Sequence, residues 1–136
     1  MRGHGMMNRT LLAVVGTLSA LSVAGCSSDD AQPHQGSPRE VLIYAYRAID
    51  DGRYADVCAV MYEPENDCAQ TVANGLAIGD FDGIGDVRVD EAAIEYSGDG
   101  ASATIPVSAF SWPNGRSYPF LSDENFELHD DQWWIQ

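Results

Sequence analysis

Three groups of residues have types and spacings suited to chemistry. Cys58 and Cys68 stand ten positions apart, and two such thiols can close a disulfide, share a zinc ion or leave a reactive thiolate. The run Asp80-Phe81-Asp82-Gly83-Ile84-Gly85-Asp86 brings Asp80, Asp82 and Asp86 together between glycines. Clustered carboxylates on a turning loop are the oxygen donors that calcium takes. An EF-hand also needs a donor at the fifth position, where Ile84 stands. The run therefore reads foremost as a solvated acidic loop, and its three aspartates are weak cation candidates only. The third group is proton-carrying: Tyr44 and Tyr46 can donate to an oxyanion, and Glu127 and His129 can exchange a proton. His129 sits beside Asp130 in a turn-like run, where an exposed histidine is the plainer expectation. No serine nucleophile elbow, phosphate-cradling glycine loop or zinc signature is present, and no cofactor is expected.

The aromatic side chains are the remaining signal. Tyr44, Tyr46, Trp112, Phe120 and Trp134 are the residues expected to line an apolar ligand groove, the other aromatics serving as core. Alternation along a strand sends Trp133 and Trp134 to opposite faces, so one of the two must find cover outside the core.

The elements that must position these residues are legible from periodicity. Ser37-Pro38-Arg39-Glu40 combines a capping serine, a proline suited to the first helical turn and a capping-box acid. Leu42, Ala45, Tyr46 and Ile49 continue as an apolar stripe of helical period, ended by Asp50-Asp51-Gly52. A second short helix is expected in RYADVCAVMY, with Tyr54, Val57, Cys58 and Met61 on one face. A third, capped by Asn66 or Asp67, is expected to run to about Ile78 with Cys68, Val72, Ala73 and Leu76 inward.

After Gly79 the period becomes two. Val87, Val89, Ile94 and Tyr96 predict one strand, Ser97-Gly98-Asp99-Gly100 a turn, and Ala101, Ala103, Ile105 and Val107 the inward face of the return. Pro106 marks an irregular or edge point in that strand, and Trp112-Pro113-Asn114-Gly115 a further turn. Phe126-Glu127-Leu128 and Trp133-Trp134-Ile135 then predict a closing hairpin around His129-Asp130-Asp131-Gln132. Helices first and antiparallel strands after them make an α+β domain, N-terminal helices packed on a sheet of four to five strands.

Composition agrees with one globular domain: 136 residues, 45% hydrophobic and 21% charged. All seven basic residues are arginine and face 21 acids, for a net charge of −14. A polyanion is repelled by such a chain, which excludes nucleic-acid binding.

The N-terminus carries an address. Arg2 and Arg9 precede fifteen uncharged residues, LLAVVGTLSALSVAG, and Met1, Met6 and Met7 all leave a basic start. Fifteen residues span roughly 22 Å as a helix, short of the ~30 Å hydrocarbon core, so residues 1–25 read as a signal peptide. Val23-Ala24-Gly25-Cys26 resembles the bacterial lipobox. That resemblance implies cleavage before Cys26, diacylation of its thiol, and a lipid-anchored protein on the extracytoplasmic face of the cell membrane. The mature chain then carries five arginines against 21 acids, a charge of −16. Residues 26–37 form the lipidated cysteine and a polar tether with a reach of roughly 20 Å, in which His34 reads as a solvated side chain. With Cys26 acylated, only Cys58 and Cys68 remain, in an oxidising compartment. Zinc and a reactive thiol lack supporting residues nearby, so a disulfide is expected. Its loop of about 11 residues is worth on the order of 3 kcal/mol.

The lipobox, the tether, the helix ending in Asp51-Gly52, the segment VCAVMYEPENDCAQTVANGLA and the finish LHDDQWWI together resemble small actinobacterial lipoproteins. Over residues 38–136 they are similar to the nuclear transport factor 2-like superfamily. The resemblance implies a curved antiparallel sheet wrapped over helices as a cone, which holds an apolar ligand, houses an enzyme site or is filled by side chains. The expected role is non-catalytic: binding a small apolar ligand, or docking an envelope protein. The alternative is a cone-fold enzyme of the isomerase or dehydratase type. A ligand binder requires an open apolar cavity, a docking module a filled cone with an exposed aromatic patch, and an enzyme a buried polar pair.

Overall fold

Ser37 opens the first helix as its sequence dictates. In the computed structural model of the protein, which describes residues 35–136, its hydroxyl accepts a hydrogen bond from the Glu40 amide at 3.1 Å. Pro38 occupies the first turn. Helix α1 (Pro38–Asp50) buries Val41, Leu42, Ala45, Tyr46 and Ala48 and ends at Asp51, with Gly52 taking the left-handed conformation at φ 74°. Two shorter helices follow, α2 (Tyr54–Cys58) and α3 (Cys68–Leu76). The Cys58–Cys68 disulfide joins the end of α2 to the start of α3.

The strands are β1 (Arg88–Val89), β2 (Glu95–Tyr96), β3 (Ser102–Ile105), β4 (Phe110–Ser111), β5 (Glu124–His129) and β6 (Gln132–Ile135). They form two antiparallel sheets, one of four strands ordered β2-β3-β5-β6 and one of two, β1-β4. Helix α1 touches both β3 and β6, which β5 separates, so it crosses the larger sheet. The chain is thus α+β, with helices preceding antiparallel sheet. The core holds Leu42, Ile105, Phe126 and Trp133, with Val89 of β1 and Ile84 from a connecting segment.

Register fixes which side chains face α1. Ala103 pairs with Phe126, Phe126 with Ile135, and Leu128 with Trp133. Alternation along β5 then places Glu124, Phe126 and Leu128 on the helix side and Asn125, Glu127 and His129 on the other. The β5–β6 turn has two residues, Asp130 and Asp131, both at positive φ (53° and 64°), the geometry that matches the twist of a tight hairpin. The outer edge of β6 is covered. The Trp133 amide donates to the Gln35 carbonyl, Ile135 donates to Val60 and Tyr62 donates to Ile135. Such cover removes an open edge that would template aggregation.

Three expectations are corrected. The strand expected across Val87 to Tyr96 is interrupted, because the Asp90 carboxylate takes the Ala92 amide at 3.1 Å and turns Glu91–Ala93 into a single 3-10 turn. Its two halves consequently join different sheets. Ala101 and Val107 are exposed rather than inward. Pro106 starts another 3-10 turn, Val107–Ala109, and the Val107 amide is held by Asp123 at 2.8 Å. Finally, α3 stops at Leu76, and of its inward-assigned residues only Cys68 is buried. Val72, half-buried against the core, and Leu76 border an open cavity.

Candidate functional site

That cavity, of about 340 Å³, lies between α1, α3 and the ends of β5 and β6. Its walls are Leu42 and Ile49 of α1, Val72 and Leu76 of α3, and Phe126 and Ile135 of the sheet. Polar groups are few: Tyr46, Glu124, Thr71 and Gln136. The stripe of α1 aims Tyr46 inward, where it keeps 5% of its exposure and packs edge-on to Phe110 at 5.9 Å. Its hydroxyl is buried with no hydrogen-bond partner among the described residues.

Glu124 arrives from the other side, carried there by the parity of β5. Burial raises its carboxyl to about 7, only partly offset by the nearby Tyr46 hydroxyl. Burial first, and then the Glu124 charge, push the Tyr46 phenol far above its ordinary range. The pair is therefore uncharged in mildly acidic solution: a neutral acid and a neutral phenol on an apolar wall, each able to donate a hydrogen bond.

The expected ligand-lining aromatics do not converge. Of Tyr44, Tyr46, Trp112, Phe120 and Trp134, only Tyr46 lines this cavity. Tyr44 lies under the Arg53 guanidinium at 5.8 Å. Trp112 donates its indole N–H to the Ile84 carbonyl at 3.1 Å and meets Tyr118 edge-on at 4.6 Å, a packing role. Phe120 is 66% exposed. Trp134 takes the face of β6 opposite the core-facing Trp133, as alternation requires, and stands edge-on to Tyr62 at 6.2 Å. Tyr62 in turn stacks on His129 at 3.8 Å, and His129 Nε2 meets Glu127 at 2.9 Å. Glu127 and His129 thus lie on the outer face, away from the cavity, and do not join Tyr46.

The acidic loop is committed to the fold. Asp80 and Asp82 face Arg116 at 3.7 and 3.8 Å, and the Tyr118 hydroxyl donates to the Asp82 carbonyl at 2.6 Å. Asp50, at the end of α1, accepts the Gly83 and Gly85 amides, each at 3.1 Å, so a carboxylate of this chain already fills the loop's hollow. A β-carbon on Gly85 would stand 2.9 Å from the Asp50 carboxylate, which explains glycine there. Glu91 does fall at the twelfth position counted from Asp80. Ile84 at the fifth is fully buried, however, and among the described residues no three metal-binding side chains converge. Asp80, Asp82 and Asp86 therefore do not assemble a metal centre.

Sequence reasoning missed Glu124. The signal was present, since Phe126 and Leu128 set the inward parity of their strand and Glu124 shares it. Cys26 and His34 lie outside the described residues, as do residues 1–25, expected as a signal peptide, and most of residues 26–37, expected as a tether. No helix among the described residues is long and apolar enough to cross a membrane. Comparison of the chain with protein-family models, with curated proteins and with solved structures finds no match.

Proposed function

We propose that this chain is a lipoprotein, anchored through diacylated Cys26 to the extracytoplasmic face of a cell membrane, whose domain binds a small apolar ligand without transforming it. One observation carries the ligand reading: an open, apolar cavity bordered by a buried Tyr46 hydroxyl that makes no hydrogen bond of ordinary geometry among the described residues. A buried polar group left unpaired costs on the order of 1–3 kcal/mol, a cost that a bound molecule relieves. An open cavity favours a ligand over the docking role, which called for a filled one. The crossing of α1 over a four-stranded antiparallel sheet supports the nuclear transport factor 2-like reading of the fold. Fold alone does not assign activity, so the ligand reading stands on the cavity.

A second reading draws on the Tyr46–Glu124 pair. A carboxylic acid that titrates near neutrality beside a phenol is the equipment of a proton-moving isomerase or dehydratase. Native mass spectrometry of the full chain recovered from its own envelope distinguishes these roles. The expected result is a reproducible small-molecule mass beyond polypeptide and acyl groups, returned chemically unchanged after incubation. Recovery of an isomer or a dehydrated product would establish the enzyme, and a bare lipidated polypeptide would overturn the ligand reading.

A further inference from the structure

We infer that α3 is a detachable wall of the cavity, latched in place by the Cys58–Cys68 disulfide, and that reduction of this bond by a dithiol frees α3 and lets the ligand go. This rests on the ligand-binding reading above and adds its regulation. Helix α3 gives the cavity Thr71, Val72 and Leu76, yet little fastens it to the rest of the fold. Among the described residues its hydrogen bonds stay local. The Cys68 amide donates to Glu65, Thr71 to Asp67, Ala77 to Ala73, and the Gln70 side chain to Asn74. None reaches α1, α2 or the sheet. Cys68 is the only buried residue of α3, and Val72 is half-buried. Nine residues with a glycine at position 75 are too few to hold a helix by propensity alone. A segment with so few ties opens at low free energy, so the disulfide decides whether this wall stays.

The other end of the bond is anchored. Cys58 closes α2, which packs on α1, and its neighbours Val57 and Val60 are core residues. The latch therefore joins the loosest wall of the cavity to the fixed body of the domain. Cys68 Sγ also lies 3.6 Å from Met61 Sδ, and Met61 lines the same cavity. Exposure directs the chemistry, because Cys58 is partly open to solvent while Cys68 keeps 8% of its exposure. A thiolate of the dithiol attacks Cys58 Sγ, the disulfide breaks, and Cys68 leaves as a thiolate. The second thiol of the reductant then displaces Cys58 from the mixed disulfide. Two electrons pass to the protein, both cysteine sulfurs take up protons, and the dithiol departs as its own disulfide. Leu42 of α1 and Phe126 of β5 stay buried throughout, so the body keeps its core.

The test uses the full lipidated chain in phospholipid nanodiscs, with empty nanodiscs as reference, before and after treatment with dithiothreitol. Hydrogen exchange reads each helix, and fluorine NMR of fluorobenzene reads the cavity. On reduction the amides of α3 should lose protection on the order of a hundred-fold, while those of α1 and β5 keep theirs. Fluorobenzene affinity should fall about ten-fold as its contacts with Val72 and Leu76 are lost, and reoxidation should restore both signals. The double variant Cys58→Ser, Cys68→Ser should match the reduced protein and ignore dithiothreitol; reversible reduction of the wild-type chain carries the test if that variant does not fold. Unchanged protection of α3 on reduction would overturn the inference. So would a loss shared equally by α1 and β5, which would make the bond a general staple. Freed α3 with fluorobenzene still bound as tightly would overturn the gate and leave the cavity standing. Absence of fluorobenzene from the oxidised chain would instead remove the ligand-binding reading, and the regulation built on it.

Discussion

Replacing Glu124 with glutamine should stabilise the protein at neutral and alkaline pH and leave it little changed in acid. Burial lifts the folded-state carboxyl from an ordinary 4.5 to about 7. Between those values the folded chain holds a proton that the unfolded chain has released, so wild-type stability falls as pH rises through this window and is level above it. A difference of roughly 2.5 units at about 1.36 kcal/mol each makes the buried carboxylate a liability of about 3 kcal/mol at pH 8. Glutamine retains shape and hydrogen-bonding groups but cannot ionise, so it should recover most of that amount. For a domain of this size the melting temperature should rise on the order of 10 °C at pH 8, with little change at pH 4. Urea unfolding followed by tryptophan fluorescence at intervals from pH 4 to pH 9 measures both curves. The remaining acids repel one another in both proteins alike, so subtracting the curves isolates Glu124. Parallel curves would refute the reasoning, because they would mean that water or a rotated side chain keeps this carboxyl solvated.

Four further outcomes are expected. Replacing Cys58 and Cys68 together with alanine should cost about 3 kcal/mol. Since Cys68 is the only buried residue of α3, the amides of α3 should lose hydrogen-exchange protection before those of α1. Asp50→Ala leaves the Gly83 and Gly85 amides without their acceptor and should cost about 2 kcal/mol in urea unfolding; a neutral result would show that solvent replaces the carboxylate. Millimolar calcium should leave the melting temperature unmoved, because Asp80 and Asp82 face Arg116 and among the described residues no third ligand joins them; a rise reversed by chelator would contradict this. Cys26→Ala should abolish acylation and release the protein from the membrane fraction, and a variant still acylated would refute the lipobox reading.

The outer face of β5 and β6 shows how the hairpin manages aromatic surface it cannot bury. Trp134 and His129 share that face, and Tyr62 closes over them from the segment that follows α2. The same segment covers the edge of β6 through the Met61–Ile135 bridge. One short stretch thus shields a strand edge and an aromatic face, while the disulfide a few residues away ties it to α3.

Local chemistry was enough to read much of this protein from its residues. Ser37, Pro38 and Glu40 define the start of α1, and the i, i+3, i+4 stripe selects Tyr46 for its inner face. Two cysteines in one short segment specify their own pairing, and alternation separates Trp133 from Trp134. Each of these depends on neighbours a few positions away, which periodicity and capping report directly. Other features followed from contacts that periodicity does not report. Asp90 diverted its strand by capturing a nearby amide in preference to the ladder. Tyr44, Trp112 and Phe120 have the composition of a binding site, yet Arg53, Ile84 and solvent claim them. The Tyr46–Glu124 pair joins residues 78 positions apart. Strand parity could place Glu124 on the inner face, but only the crossing of α1 over β5 sets it against a phenol in an apolar cavity. Burial, which raises the pKa of both groups and gives the cavity its chemistry, is a property of that packing and of no segment taken alone.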